Sequence, residues 1–549
     1  MIKKMTLMVL AFSMSVSVFA QGKLGPITIT HGKEIESNSE KIVRIAGETN
    51  GKIYTLATKG KNYFIRVFNS SDMALISTNE IVMDDFLDRE PEFEDISAIN
   101  GKIYIFGSVY DKKSKMANLL AVEISEEGKL TTNKKKLFST PVTKSRERGG
   151  FYFKESPAGD KMLIMHAALF EKEEVIQYEI KLIDGNLNID TSYTEKVPFE
   201  DRKDLEFTIS DMDVNVHNDI FLVINESYRD KKAKENNEKF EIHTFKKASN
   251  YSKEIVTIDF KDKEVINCQM LANQKNQLQL VGFYSSVREN GKANKELKGV
   301  YTVTVDVLTN TPTNVKFNEF DYQTKVKLLG ERRAKKGKDL RPLYFPHSLI
   351  EREDGGLILL SEYREVIVGQ TSGIGPLGFT PITYINNEII VTSINPNGSV
   401  DWTNVIAKDQ KASFTSLSLG MFGGGSNGNL TVTVSVQIPI AMLGKGPEYL
   451  SAMPIYENGE LTVVFNDNIK NIGVTDIEEI KPLGNYNKAI PTAFVFNSGS
   501  GEITRIDPEE FQKNQLVLRP GVYFRSTPSD YIIYSSRKSD DKLGRMTIN

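Results

Sequence analysis

The chain has 549 residues, of which 40% are hydrophobic and 26% charged, and its net charge at pH 7 is −3. That is the composition of a folded globular chain, long enough for several ordinary domains or one large ring. So mild a balance leaves no electrostatic footprint for nucleic acid, and a lone cysteine, Cys268, excludes an intramolecular disulfide. Cys268 sits in the strand-like run VINCQML and is expected to be a small buried apolar residue.

Residues 1–20 read as a signal peptide. Lys3 and Lys4 precede the apolar stretch MTLMVLAFSMSVSVFA, and Val18-Phe19-Ala20 offers a small-residue cleavage site. The apolar run is short for a bilayer span, and no cysteine follows it for lipid attachment. The mature chain, 21–549, is therefore expected in the periplasm, or else outside the cell.

From there on a turn between two strand-like runs recurs eight times. Asn50-Gly51 precedes KIYTLA, Asn100-Gly101 precedes KIYIFG, and Ala158-Gly159-Asp160 precedes KMLIMH. Asn218-Asp219 precedes IFLVI, residues 273–276 precede QLQLVG, and Asp354-Gly355 precedes GLILL. Asn458-Gly459 precedes ELTVVF and Ser529-Asp530 precedes YIIY. Each copy continues into another strand-like run, such as YFIRVF (63–68), and often a second turn, such as Glu127-Gly128, Asp184-Gly185, Asn397-Gly398 or Ser500-Gly501. The runs are β-branched and aromatic with partial period-2 alternation, as half-buried strands are. Asn-Gly pairs tolerate the positive φ of tight hairpins.

A unit of four strands, a to d from the axis outward, is one propeller blade. The fold class expected is all-β, a single propeller with eight four-stranded blades, or seven if one copy is an insertion. The last copy stops at Asn549 after a c strand, whereas PITITH (26–31) has no evident hairpin partner. That run is expected to supply the missing d strand and close the ring, which leaves no open sheet edge along it.

The pattern resembles secreted β-propellers with kelch-like or WD-like blades. NGKIYIFGS (100–108) looks like the start of a kelch blade without its second glycine or its tryptophan spacing, and SPAGDKMLIM (156–165) is similar to TolB-type blades. The chain also resembles secreted proteins of the Bacteroidota. That resemblance implies a cell-envelope setting, including the plug-like periplasmic subunit of the type IX protein translocon.

Strands of a blade alternate direction, so a–b and c–d turns share one face and b–c and d–a connections the other. The former are short and the latter hold the extra length, which makes the elaborated face the working face. Two segments there carry no charge, at 366–387 and at 412–444. An apolar surface of that kind marks an interaction site; packing of the two on each other, or 429–437 as a buried strand, is the alternative, and membrane insertion, with no basic amphipathic helix to support it, a third. The residues expected to bind a partner are Ile374, Leu377, Phe379, Leu417, Met421, Phe422, Ile438, Ile440, Met442 and Leu443. The charged connections 229–239, 288–296 and 331–341 read as solvated loops, the last, though short, being basic enough to suggest an anionic partner.

No catalytic motif emerges. His31, His166, His217, His243 and His347 form no HExxH or Cys/His zinc pattern. His166 and His243 sit in strand-like runs and read as structural. Asp211, Asp213, Asn215 and His217 alternate, so an extended strand would share them on one face, either a metal site or a polar lining of the channel. The run fails as a calcium loop, because Val216 replaces the glycine and Leu222 the glutamate. The acidic stretch 84–95 supplies carboxylates, but a glycosidase needs a facing pair. Expected, then, are no catalytic residues, no metal and no cofactor. The expected function is non-enzymatic docking of a protein partner in the envelope, beside an outer-membrane secretion machine, without nucleic acid or a membrane span. A carbohydrate-active or other hydrolytic propeller would instead show convergent carboxylates at the axis. A small-ligand or peptide sensor would show an aromatic funnel there.

Overall fold

A computed structural model describes residues 21–548 except 36–39, 61, 84–90, 143, 171–173, 200–204, 369–379, 417–425, 428–429, 435–448, 486–487, 510–515 and 538–539. The strands form eight antiparallel sheets in sequence order: 41–80, 92–141, 150–198, 205–258, 263–319, 344–416, 452–506 and 517–548. These are blades 1 to 8 of a β-propeller. All eight a–b turns fall where the sequence places them. Asn50, Asn100 and Asn458 adopt φ of 51°, 50° and 50°, the left-handed conformation for which asparagine is suited.

Each blade packs its apolar faces on both neighbours. One continuous core joins blades 8, 1 and 2 through residues such as Tyr534, Leu56 and Ile103. Further cores join blades 2 and 3, 3 and 4, 4 and 5, 5 and 6, 6 and 7, and 7 and 8. Every junction of the ring is therefore filled.

The c–d turns latch adjacent blades. Tyr104 of blade 2 donates to the Gly185 carbonyl of blade 3 at 2.9 Å, and Thr302 of blade 5 to that of Gly398 at 2.8 Å. Trp402 of blade 6 donates its indole N–H to the Ser498 carbonyl at 2.9 Å and stacks on Phe496 with rings 6.0 Å apart. Glycine is needed at these turns because they press on the preceding blade. A Cβ on Gly185 would lie 2.5 Å from Asn100, and one on Gly501 would lie 2.5 Å from the Trp402 ring.

Ring closure follows the expectation. Ile27–His31 pairs antiparallel with Asp540–Ile548, Ile27 opposite Ile548 and His31 opposite Gly544. One detail differs: PITITH does have a hairpin partner. Gln21–Leu24 folds back on it across Gly25-Pro26, giving blade 8 a fifth strand. That short run carries only one large apolar residue, Leu24, so its sequence gives little strand signal.

Two helices were also absent from the sequence reading. Tyr322–Leu329 and Glu331–Lys335 occupy the d–a connection before blade 6, where a solvated loop was expected. Asp321 caps the first by accepting from the Thr324 N–H at 2.7 Å. Ala334 is buried beneath them, while Arg332, Arg333 and Lys335 stay exposed. Among the described residues no helix is long and apolar enough to cross a membrane.

Because Ile27 is fully buried in the closing strand, Ile27→Asp places an unpaired charge there and should cost about 3–5 kcal/mol. Urea unfolding and size-exclusion chromatography should show a lowered midpoint and self-association through the released edge of blade 8.

Candidate functional site

The elaborated face is dominated by blade 6. Its b, c and d strands run Leu357–Val368, Thr380–Ile394 and Val400–Ser416, longer than those of any other blade. Much of the uncharged segment 366–387 is thus strand, not loop: Val366–Val368 pairs with Ile382–Tyr384, which pairs in turn with Ala412–Phe414. The three strands project past the ring as an extension.

Bulges mark where ring ends and extension begins. Register shifts fall between Glu362 and Arg364 and between Asn387 and Ile389. A bulge bends and twists its strand, so the extension is re-aimed at this level. Tyr344 secures both bulged residues: its ring meets Tyr363 edge-on at 5.5 Å and its hydroxyl donates to Glu388.

A buried ionic cluster sits at the same level. Lys408 donates to Glu362 Oε1 at 2.8 Å and to the Asn386 carbonyl at 2.8 Å. Arg364 Nε and Asn386 Nδ2 donate to Glu362 Oε2 at 2.7 and 3.0 Å. Arg364 also donates to His347 Nδ1 at 2.8 Å, and His347 Nε2 donates to the Ala452 carbonyl of blade 7 at 2.9 Å. Burial opposes charge on Glu362, but Lys408 and Arg364 outweigh it and hold the carboxyl at about 2. Burial, helped by Arg364, lowers His347 to about 4, so the ring is neutral. Sequence reasoning passed over Glu362, Arg364, Asn386 and Lys408 and weighed His347 only as a zinc ligand. The available signal was Glu362 and Arg364 two apart inside the apolar run LILLSEYREVIV.

Beyond the cluster, Ile382, Tyr384, Ala412 and Leu450 form a small core. Blade 7 braces the extension: Gln410 Nε2 donates to the Asn466 carbonyl at 2.6 Å, and Lys411 N–H to that of Leu483 at 3.1 Å. At the end of the b strand Val366, Ile367 and Val368 are 47%, 47% and 49% exposed, an apolar row facing solvent. Ile374, Leu377, Phe379, Leu417, Met421, Phe422, Ile438, Ile440, Met442 and Leu443 lie outside the described residues.

Part of the second uncharged segment leaves its own blades. Leu430–Val434 pairs parallel with Leu205–Ile209 at the inner edge of blade 4, and a short return pairs Ser426–Asn427 with Leu430 and Thr431. This strand falls within 429–437, where the sequence allowed one.

The Asp211–His217 idea does not survive. The strand ends at Val214, and Asn215 turns the chain by accepting from the His217 and Asp219 N–H groups at 2.9 Å each. His217 is exposed in that turn. Asp211 and Asp213 instead accept backbone N–H groups of Met270 and Ala272 in blade 5 at 2.8 and 3.1 Å, while Lys154 of blade 3 lies 3.4 Å from Asp213. Burial raises Asp211 to about 6 against the pull of Lys154. Among the described residues no three His, Cys, Asp or Glu side chains converge as metal ligands.

The other singled-out residues are structural. His166 stacks on Phe151 at 4.6 Å and meets the Arg148 carbonyl at 2.7 Å, and His243 meets the Tyr178 hydroxyl at 2.8 Å. Cys268 is buried, and burial raises its thiol far above the ordinary range. The charged connections 229–239 and 288–296 pack on one another, Arg229 donating to the Asn290 carbonyl at 2.9 Å. On the acidic stretch, 84–90 lies outside the described residues, while Asp95 is buried and paired with Arg44.

A cavity of about 360 Å³ opens on blade 4, lined by Glu226, Tyr228, Asn237, Glu238 and Lys239. Burial pushes Glu238 up to about 8 despite the Val265 N–H it accepts.

The class defined by these sheets is an eight-bladed β-propeller with an elaborated face. No protein-family model matches the chain, and no curated protein matches it. Among solved structures it is similar to a polysaccharide lyase, at 8% identity over 84% of this chain and 90% of that one, with a TM-score of 0.33. It is also similar to the β-propeller domain of the trilobed protease from Pyrococcus furiosus (9% identity, 67% and 93% covered, TM-score 0.29). A third is an endo-arabinase from Bacteroides thetaiotaomicron (10%, 48% and 94%, 0.22). Scores this low transfer no activity.

Glu362→Gln should cost about 3–5 kcal/mol in urea unfolding, because it strands Lys408 and Arg364 without their counter-charge. His347 predicts a pH effect of fixed sign. Below its unfolded value of 6.5 the unfolded chain binds a proton that the folded chain refuses until about 4. Its contribution therefore falls as pH drops through that window. Raised carboxylates such as Glu94, Glu238 and Asp211 run the other way, so the readout is a difference. The cost of His347→Gln relative to wild type should shrink by up to ~2 kcal/mol between pH 7 and 4.5.

Proposed function

We propose that the protein is a non-enzymatic docking platform of the cell envelope, exported to the periplasm, whose protein partner engages the blade 6 extension. The observation that carries this reading is the exposed row Val366, Ile367 and Val368 at the end of a braced extension. The uncharged run that begins with this row continues past it to residue 387. Exposed apolar surface on a fixed support is what a partner surface requires, and the ionic cluster beneath supplies the fixity. A component of an outer-membrane protein-secretion machine is the partner favoured by the signal-peptide-like N-terminus and the chain's resemblance to Bacteroidota secreted proteins.

A second reading has one observation in its favour. Glu238, protonated near neutral pH and lining a cavity with a second carboxylate, Glu226, has the form of a general acid for glycoside chemistry.

The triple variant Val366→Ser, Ile367→Ser, Val368→Ser should keep the wild-type thermal midpoint and lose the envelope protein that co-purifies with wild type from membranes. An unchanged set of co-purifying proteins removes the docking reading. Turnover of polysaccharide by wild type that Glu238→Gln abolishes would install the second reading in its place.

A further inference from the structure

The innermost strand of a propeller blade has one edge paired in its own sheet and the other turned to the axis. An unpaired edge of that kind is a template for another strand. Among the described residues only blade 4 has its axial edge paired. Leu430, Thr431, Val432, Thr433 and Val434 lie opposite Leu205, Glu206, Phe207, Thr208 and Ile209 in parallel register. The register sets apolar positions against apolar ones and polar against polar, a match that a one-residue slip destroys.

The paired edge has a defined length. It stops at Ile209, where the register of this strand with its own blade shifts before Asp211. Beyond that point Asp211 and Asp213 are committed sideways to the blade 5 backbone. Leu205, Phe207 and Ile209 are fully buried in the core between blades 3 and 4, so the edge is held rigidly. Its occupant comes from between blades 6 and 7 and bypasses blade 5, so nothing in ring closure requires it there.

We infer that the axial edge of Leu205–Ile209 is a strand-docking slot for an extended, uncharged peptide of alternating β-branched residues, occupied in the free protein by residues 430–434 of the same chain. Main-chain hydrogen bonds supply the affinity and the alternation supplies the selectivity. The internal strand is tethered at both ends and competes at high effective concentration, so an external strand enters only as the internal one leaves. The slot lies on blade 4, apart from the blade 6 row, and either can fail without the other.

The test uses the full mature chain and a fluorescent peptide of sequence GNLTVTVS. Thr208→Cys with Thr433→Cys should form a disulfide on oxidation, read by mass spectrometry; Cys268, being buried, does not compete. Thr431→Pro with Thr433→Pro should release the internal strand, since proline cannot donate to a ladder. The peptide should bind that variant at least tenfold more tightly than wild type, and the oxidised double-cysteine protein should not bind it at all. The inference is overturned if the disulfide does not form, or if oxidised and reduced protein bind the peptide equally. It is also overturned if a proline variant with wild-type thermal midpoint fails to bind. Should the proline variant not fold, the oxidised-against-reduced comparison decides alone.

Discussion

One pairing holds the ring together, that of Ile27–His31 with Asp540–Ile548. Without it blade 8 would have three strands and an open edge, and the ring would lack the hydrogen-bonded ladder that ties its two ends into one sheet. The junction cores depend on that closure, because each blade must find a packed neighbour on both sides. The latching turns depend on it as well. A turn such as that at Gly501 fits only while the preceding blade presents Trp402 at the right distance.

A closed ring is a stiff base, and elaboration of one face becomes possible only on such a base. Blade 6 uses it most fully. Paired bulges redirect its strands, and Glu362, Lys408, Arg364, Asn386 and His347 satisfy one another where the bend occurs. A buried cluster of this kind is a poor source of net stability, because desolvation consumes most of the attraction. Its value is directional. Other registers of the three strands would strand a buried charge, so the extension has one orientation.

What the sequence made legible was local. Asn-Gly turns announce themselves through φ, and counting strands between them led to the closing strand. Legibility failed where a structure depends on distant or lateral partners. The uncharged run at 366–387 read as a loop because strand length past the ring is set by pairing with neighbours, not by propensity. The alternation of Asp211 to His217 implied one continuous face, but Asn215 prefers its own side-chain turn and ends the strand three residues early. The docking of Leu430–Val434 on blade 4 joins residues more than two hundred positions apart, and no local pattern encodes such a contact. Glu362 and Lys408 share a site only because a bulge brings their strands into phase.

Trp402 has a consequence for how the molecule can be watched. It is the sole tryptophan of the chain, lies parallel to Phe496 at an interplanar angle of 2°, and spans the junction between blades 6 and 7. The tryptophan emission of the protein, excited selectively over that of tyrosine, therefore comes from one ring at one seam. A shift in its wavelength or quenching reads the separation of blades 6 and 7 directly, without a label, while events at the other junctions leave it silent.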